Sequence, residues 1–327
     1  MMLRVAILSS WHVHAMGYAN HFNRRADSTV TCVWDEEAKK GQKFADQLGV
    51  EFESDLDKIL AREDVDAVCI NAPTNIHDEV MIKAANAGKH IFTEKILTLT
   101  VEGAHAVKEA IEQNNVKFSI CFVHQSFAHN QLAKKVVDEG LLGKITYFRV
   151  RNAHSGASDN QLPDHFYSKE QCGGGAMIDL GAHPMYLVNW LMGKPTEMSS
   201  AFTHVTGREV EDNAVSIMKY DDGKIVVSET GFVTSSSPFA MEIHGTEGSF
   251  TINGGDVRLT SKQVTPGDYT GTVTPNLPQS KSDPIDNFID GVLYGAEMDY
   301  GIDEAIALTE MMVAAYKSHE TGQFVKV

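Results

Sequence analysis

The stretch from Leu3 to Asp35, LRVAILSSWHVHAMGYANHFNRRADSTVTCVWD, decides the fold. It opens on an apolar run, LRVAILS, passes through a polar turn into a helix, and closes on a second such run, STVTCVW. Two parallel strands cannot be joined by a tight hairpin; they need a long crossover, and a helix supplies it. The alternation continues to about residue 122, with strand candidates VDAVCINA, KHIFTE and VKFSICFV. Helical patterns EEAKKGQKFADQL, DEVMIKAANAG and TVEGAHAVKEAIEQN lie between them. Residues 1–123 are therefore predicted to form an α/β, Rossmann-like domain whose parallel sheet is covered on both faces. In such sheets ligands collect beyond the carboxyl ends of the strands, so the residues just after each strand carry the functional information.

After the first strand a dinucleotide fold ordinarily carries GxGxxG, for a tight turn and close approach to a pyrophosphate. Here Ser9-Ser10-Trp11-His12-Val13-His14-Ala15 stands in that place, with Ser9, Trp11 and His14 at the glycine positions. The free N–H groups of the following helix can still hold phosphate, and Ser9 or Ser10 can add a hydroxyl. Trp11 and His14 must then turn aside or reshape the phosphate path. Ser9, Ser10, Trp11, His12 and Val13 are the candidate cofactor contacts of this turn. Asp35 ends the second strand, where an acid accepts hydrogen bonds from the adenosine ribose and repels a 2′-phosphate. Glu36 and Glu37 follow with no arginine nearby, which favours NAD over NADP. Asp35 equally suits a helix N-cap.

Residues 124–327 change character. A helix at about 127–139 and a glycine-led helix bracket the strand ITYFRVRNA, and alternating runs EMSSAFTHV, NAVSIMKY, KIVVSETGFV, FAMEIHG, GSFTING and DVRLTS follow. Turn signals such as Asp222-Gly223 and Gly254-Gly255 separate them, which predicts an α+β domain with a large, mostly antiparallel open sheet. The segment from about 263 to 284, rich in Thr, Pro, Gly and Ser, reads as a loop. One sheet face is left to cover, and a homodimer or homotetramer joined through it is expected.

The glycine-led stretch, Gly173 to Gly193, reads GGGAMIDLGAHPMYLVNWLMG. Three glycines let the backbone turn tightly or press against a ligand. Asp179 and His183 follow four residues apart, which on a helix puts both on one face. A carboxylate beside an imidazole fixes its tautomer and stabilises its protonated form, as a general acid/base requires. An N-cap or surface salt pair is the plainer alternative.

Several of these runs carry a resemblance. AGKHIFTEKILTLT, from Ala87, resembles the AGKHVxxEKPxAxT signature of the glucose–fructose oxidoreductase and inositol dehydrogenase (Gfo/Idh/MocA) family. NAPTNIHDEV resembles its turn before a helix-opening histidine, GLLGKITYFRVR its entry into the second domain, and GGGAMIDLGAH its GGGxxxDxGxH motif. The closing GIDEAIALTEMMVAAYKSHETGQFVKV resembles its last helix and short strand. The resemblance runs in order over nearly the whole chain. It implies NAD-dependent hydride transfer at a secondary alcohol of a sugar, polyol or inositol, with Lys95, Asp179 and His183 as catalytic residues in a cleft between domains. His183 would take the hydroxyl proton, Asp179 would steady the imidazolium, and Lys95 would stabilise the developing alkoxide. The strand-end runs add Pro73, Thr74, Asn75, His77 and Glu94 as candidate cofactor contacts.

Three positions depart from the family pattern or extend it. Ile96 follows the lysine where the family has proline; a cis bond before a non-proline residue costs about 2.5–4 kcal/mol, so a trans bond is expected here. Pro184 follows His183 and is tolerated only in the first turn of a helix. Tyr186 replaces an acidic residue. Tyr186, His124, Asn152, His154 and Tyr167 are the candidate substrate contacts. Two other readings stay open: a redox-neutral NAD-dependent glycosidase or isomerase, and a non-catalytic binding or regulatory protein with a degenerate cofactor turn.

Composition narrows the field. The 327 residues carry a formal charge of -16, which argues against nucleic acid or an anionic membrane as partner. No apolar run approaches the roughly 18 residues of a membrane span. The N-terminal apolar core, Val5 to Leu8, is too short for a signal peptide. Four cysteines, Cys32, Cys69, Cys121 and Cys172, form no CxxC pair and read as small buried hydrophobes of a cytoplasmic protein. The histidines show no HExxH or similar ligand spacing, so no metal is expected.

Overall fold

A computed structural model describes residues 2–264 and 272–327; the expected loop at 263–284 falls partly outside these described residues. The chain divides into two compact units, Met1–Phe122 with Ser282–Thr309, and Val123–Lys281 with Glu310–Val327.

The first unit starts as the Leu3–Asp35 pattern demands: β1 (Leu3–Leu8), α1 (Ala15–Arg24), β2 (Ser28–Trp34). Then come α2 (Ala38–Leu48), β3 (Glu51–Phe52), α3 (Leu56–Leu60), β4 (Ala67–Ile70), α4 (His77–Asn86), β5 (His90–Thr93), α5 (Val101–Gln113) and β6 (Phe118–Ile120). The six strands form one parallel sheet in the order β3-β2-β1-β4-β5-β6. The order reverses between β2-β1 and β4, and the strand ends on either side of that point carry most of the predicted cofactor contacts. Val5, Ala6, Ile7 and Leu8 are all buried, as expected of a strand covered on both faces. The two-residue β3 and the five-residue α3 went unseen in the sequence, being too short to show a period.

The second unit begins with α6 (Val123–Ser126), α7 (Ala128–Asp138), β7 (Ile145–Ala153), α8 (Lys169–Cys172) and α9 (Ala182–Met192). It continues through β8 (Glu197–Thr203), β9 (Asn213–Lys219), β10 (Ile225–Gly231), β11 (Ala240–Gly245), β12 (Gly248–Asn253) and β13 (Asp256–Ser261). The chain then runs through α10 (Pro284–Tyr294), which belongs to the first unit, and α11 (Ile302–Thr321), whose first eight residues do, to β14 (Val325–Lys326) of the second. The eight-stranded sheet has the order β13-β12-β11-β7-β10-β9-β8-β14. All its pairings are antiparallel except β10 with β7. α9 packs on β7 and β10, with α7 beside it.

Residues 282–309, read from sequence as part of the second domain, group with the first. The cause is specific: Ile120 N–H donates to Tyr300 O at 3.1 Å, and His21 and Arg25 of the α1 region reach Asp286 and Asp290 of α10 at 3.1 and 2.8 Å. Such long-range pairing leaves no trace in local pattern.

Candidate active site

The strand ends of the first unit are built tightly. Ser9 directly follows β1 and is buried with φ +75°, the left-handed region that glycine enters freely. A serine pays roughly 1–2 kcal/mol to sit there. Two hydrogen bonds hold it: Ser9 N–H donates to Trp34 O at 2.6 Å, and its Oγ accepts the Trp11 N–H at 3.0 Å. His12 N–H then donates to Asn71 O at 3.1 Å, tying the turn to the end of β4. Trp11 and His12 are buried, whereas Val13 and His14 stay open. Helix α1 starts with no side-chain cap and no acidic residue of its own in the first turn, although the Glu94 carboxylate reaches His14 and Tyr18 there. These features fit a dinucleotide phosphate without the glycines: the first glycine's backbone conformation is kept, and the helix N-terminus is uncapped.

Asp35 is buried at the end of β2. Its Oδ2 accepts Ser10 N–H at 2.9 Å and Ser10 Oγ–H at 2.6 Å, and Oδ1 accepts Glu37 N–H at 2.8 Å. The carboxylate thus grips the turn. Pro73 leads into a single 3-10 turn, Thr74–Ile76, before α4. His77 is turned into the protein: Nε2 lies 2.8 Å from Ala72 O and Nδ1 3.0 Å from Ile96 O, and burial, opposed by those carbonyls, lowers its pKa. It is a clamp between the turns that follow β4 and β5, rather than the dinucleotide contact expected from its position.

Glu94 and Lys95 follow β5, both buried. Glu94 Oε2 accepts the Lys95 N–H at 2.9 Å. The expectation of a trans peptide after Lys95 is overturned, for the Lys95–Ile96 bond is cis. Ile96 and Leu97 are buried and the Ile96 carbonyl faces the His77 ring, tertiary contacts that a local preference does not count.

In the second unit the glycine run serves the protein itself. Gly173 caps α8 at φ +79°. A Cβ on Gly174 would lie 1.8 Å from Tyr316 Oη, and one on Gly175 2.1 Å from Glu211 O. The run presses on these two residues. The buried Glu211 Oε1 accepts Gly175 N–H and Met177 N–H, each at 2.9 Å, and the Tyr316 hydroxyl at 2.6 Å. Neither Glu211 nor Tyr316 was legible in the sequence, since their partners are distant in the chain.

Asp179 lies in the turns before Gly181, the N-cap of α9, and His183 lies in the first turn of that helix. Pro184 falls in the first turn of α9, where its missing N–H removes no helix bond. The His183 Nδ1 lies 2.8 Å from Tyr186 Oη, and the ring stacks on His124 with centroids 4.3 Å apart at 20°. Tyr186 Oη also accepts the His124 N–H at 3.0 Å. At 1% exposure Tyr186 is a support for the imidazole, not the substrate contact expected.

The remaining candidates form a second group. His154 stacks on Phe232 with centroids 5.1 Å apart at 11°, and its Nδ1 accepts Gly156 N–H at 2.9 Å, which leaves the ring proton on Nε2. Burial lowers the His154 pKa and the Asp179 charge opposes that shift, so the carboxylate acts on this ring. Tyr167 carries the Arg208 guanidinium 4.0 Å above its ring, and Arg208 donates to Ala157 O at 2.9 Å and Asn160 Oδ1 at 2.6 Å. Arg208 had no signal in the sequence. Asn152 lies half-buried on β7, at register with Thr230 of β10.

Comparison with known proteins follows the same division. A family model described as "Oxidoreductase family, NAD-binding Rossmann fold" matches residues 12–122, and the GFO/IDH/MocA C-terminal domain matches 130–251. The levoglucosan dehydrogenase of Pseudarthrobacter phenanthrenivorans is 29% identical over 61% of this chain and 58% of its own. The scyllo-inositol 2-dehydrogenase (NAD(+)) of Bacillus subtilis is 29% identical over 68% of this chain and 66% of its own. The chain therefore spans less than two thirds of the length of these relatives, 58% and 66%. A crystal structure of levoglucosan dehydrogenase in complex with NADH and L-sorbose superposes with TM-score 0.86 at 20% identity, covering 99% of this chain and 98% of that one. Among the described residues no helix is long and apolar enough to cross a membrane. With both halves matched and the Rossmann sheet in place, the chain belongs to the GFO/IDH/MocA family of NAD-binding oxidoreductases.

Proposed function

We propose that this protein is an NAD-dependent dehydrogenase oxidising a secondary alcohol of a sugar or polyol. The observation that carries the reading is the His183 imidazole, gripped by Tyr186 and stacked on His124 in a buried setting. NAD, when bound, supplies the hydride-accepting chemistry. Ser9, Ser10, Val13, the N-terminus of α1 and Asp35 are the groups that would hold it, with Pro73, Thr74 and Asn75 at the next strand end. The acids Asp35, Glu36 and Glu37 support NAD over NADP.

The Tyr186 oxygen has two lone pairs, one taken by the His124 N–H. Accepting Nδ1–H of His183 with the other leaves Nε2 unprotonated, the state needed to take the hydroxyl proton. Lys95 donates to the alcohol oxygen and stabilises negative charge there as the hydride leaves carbon. Asp179 supports the imidazolium through its charge, and Tyr186 orients the ring at Nδ1. His124, His154, Asn152 and Tyr167 are the substrate-facing candidates.

The test is incubation with NAD and a panel of inositols, aldoses and anhydrosugars, followed by NADH absorbance. Net NADH in proportion to substrate consumed is expected. Consumption of substrate without NADH would replace this reading with the redox-neutral one. Binding of neither NAD nor substrate would leave the non-catalytic alternative.

A homodimer or homotetramer through the open sheet face is part of the proposal. Tyr147, Ile225, Val227, Ile217 and Val215 lie at register on that face, with Ile217 43% and Ile225 48% exposed around the Arg149–Glu229–Glu242 ion network. Light scattering at micromolar concentration should give a multiple of the chain mass; a monomer would remove the assignment. Four cysteines without disulfides support a reducing compartment, the cytoplasm.

A further inference from the structure

We propose that His12, His14 and Glu94 form a binding site for one transition-metal divalent cation of the zinc class. The residues are brought together by the fold alone. His12 and His14 lie in the turn after β1 and Glu94 in the turn after β5, so no ligand spacing could have announced them. Their possible ligand atoms all lie within 4.8 Å of one another. His12 Nδ1 is 3.5 Å and His14 Nδ1 is 2.6 Å from the same oxygen, Glu94 Oε1. Donor atoms around tetrahedral zinc stand about 3.3 Å apart, given metal–ligand bonds near 2.0–2.1 Å. The His12 pair already has that separation; the His14 pair, now at hydrogen-bond length, must open by about 0.7 Å.

The chemistry of the donors agrees. Two imidazoles and a carboxylate suit zinc, nickel or copper rather than magnesium or calcium, which take mainly oxygen ligands. Tyr18 donates to the same Glu94 oxygen and lies 3.3 Å from His14 Nδ1, so a phenol oxygen or a water can complete four-coordination. Glu94 is 2% and His12 6% exposed, while His14 is 51% exposed and leaves an entry path. The outer contacts needed to hold such ligands exist already. Glu94 Oε2 accepts the Lys95 amide at 2.9 Å, the His12 amide is tied to Asn71 O at 3.1 Å, and Tyr18 reaches Cys121 Sγ at 3.1 Å. Burial pushes the Glu94 carboxyl up, yet the neighbouring His12 and His14 bring it well below its ordinary value. Glu94 is a buried carboxylate whose charge a bound cation would balance directly. On binding, the His12 Nδ1 lone pair that accepts the His14 amide at a long 3.3 Å turns to the ion. The metal would then clip the turn at 9–14 to the end of β5, beside Lys95.

The experiment uses the full chain stripped with a chelator, in the absence of NAD and substrate, so that its outcome is independent of the proposed dehydrogenase activity. Calorimetric titration with Zn²⁺ should give one ion per chain, and Co²⁺ should give visible absorption of a four-coordinate nitrogen–oxygen site. His14→Ala, which removes a half-exposed side chain and leaves the core intact, should weaken Zn²⁺ binding by at least about tenfold. Glu94→Gln should do the same, and His129→Ala, an imidazole outside the cluster, should bind like the wild type. Circular dichroism melts confirm that each variant is folded. No Zn²⁺ saturation below millimolar concentration, or wild-type affinity in both His14→Ala and Glu94→Gln, would overturn the proposal and leave the cluster a hydrogen-bonded network.

Discussion

Tyr186 shows how residue identity and residue role separate. Its place in the glycine-led motif read as a substrate contact, but its hydroxyl meets the His183 ring and the His124 amide. Removing only that oxygen should misplace the imidazole without opening the core. Tyr186→Phe should lower kcat by about 10²-fold with KM little changed, as expected when a reacting group loses its orientation; an unchanged kcat in steady-state assays would contradict the role. Ser9 makes the converse point. A serine in the first glycine's position reads as a loss of the dinucleotide motif, yet the backbone adopts the glycine conformation regardless. What sequence could not show is the pair of hydrogen bonds that hold it there. Asp35 follows β2 and His77 opens α4; the direction of their side chains, set by carbonyls and amides from other turns, was beyond local pattern.

Among elements, the parallel strands were legible because their β-branched runs are long and evenly punctuated, whereas β3, α3 and the affiliation of α10 were not. The α1–α10 and β1–β4 connections are charge-rich, and this gives a pH prediction. Arg25 holds the Asp27 carboxyl, and Arg4 the Asp66 carboxyl, below the usual range, in both cases mainly through side-chain hydrogen bonds. A folded-state pKa below the unfolded one means the stabilisation is present above the unfolded value and lost as pH falls toward the folded one. Stability from urea unfolding should thus be nearly flat from about pH 7 to 5 and decline below about pH 4. Asp66→Asn should lower the neutral plateau and soften the decline; an acid profile identical to the wild type would count against the pairing. The glycine-led loop belongs to this scale too. Its motif was visible, but its purpose, seating on Tyr316 and Glu211, depends on elements more than thirty residues away.

For the whole molecule, the resemblance read from scattered motifs anticipated the family and both sheets, while the acidic charge of -16 only narrowed the partners. The central claim is the proposed dehydrogenase function, which requires both Lys95 and His183 for hydride transfer. Two groups acting together on a single transition state give losses that do not multiply. The direct measurement is single-turnover NADH formation in Lys95→Ala, His183→Ala and the double variant, each at saturating NAD. The account predicts a loss of about 10²–10⁴-fold in each single variant. It also predicts a double variant within about tenfold of the worse single one. Wild-type turnover in either single variant, or losses that multiply fully in the double, would contradict it.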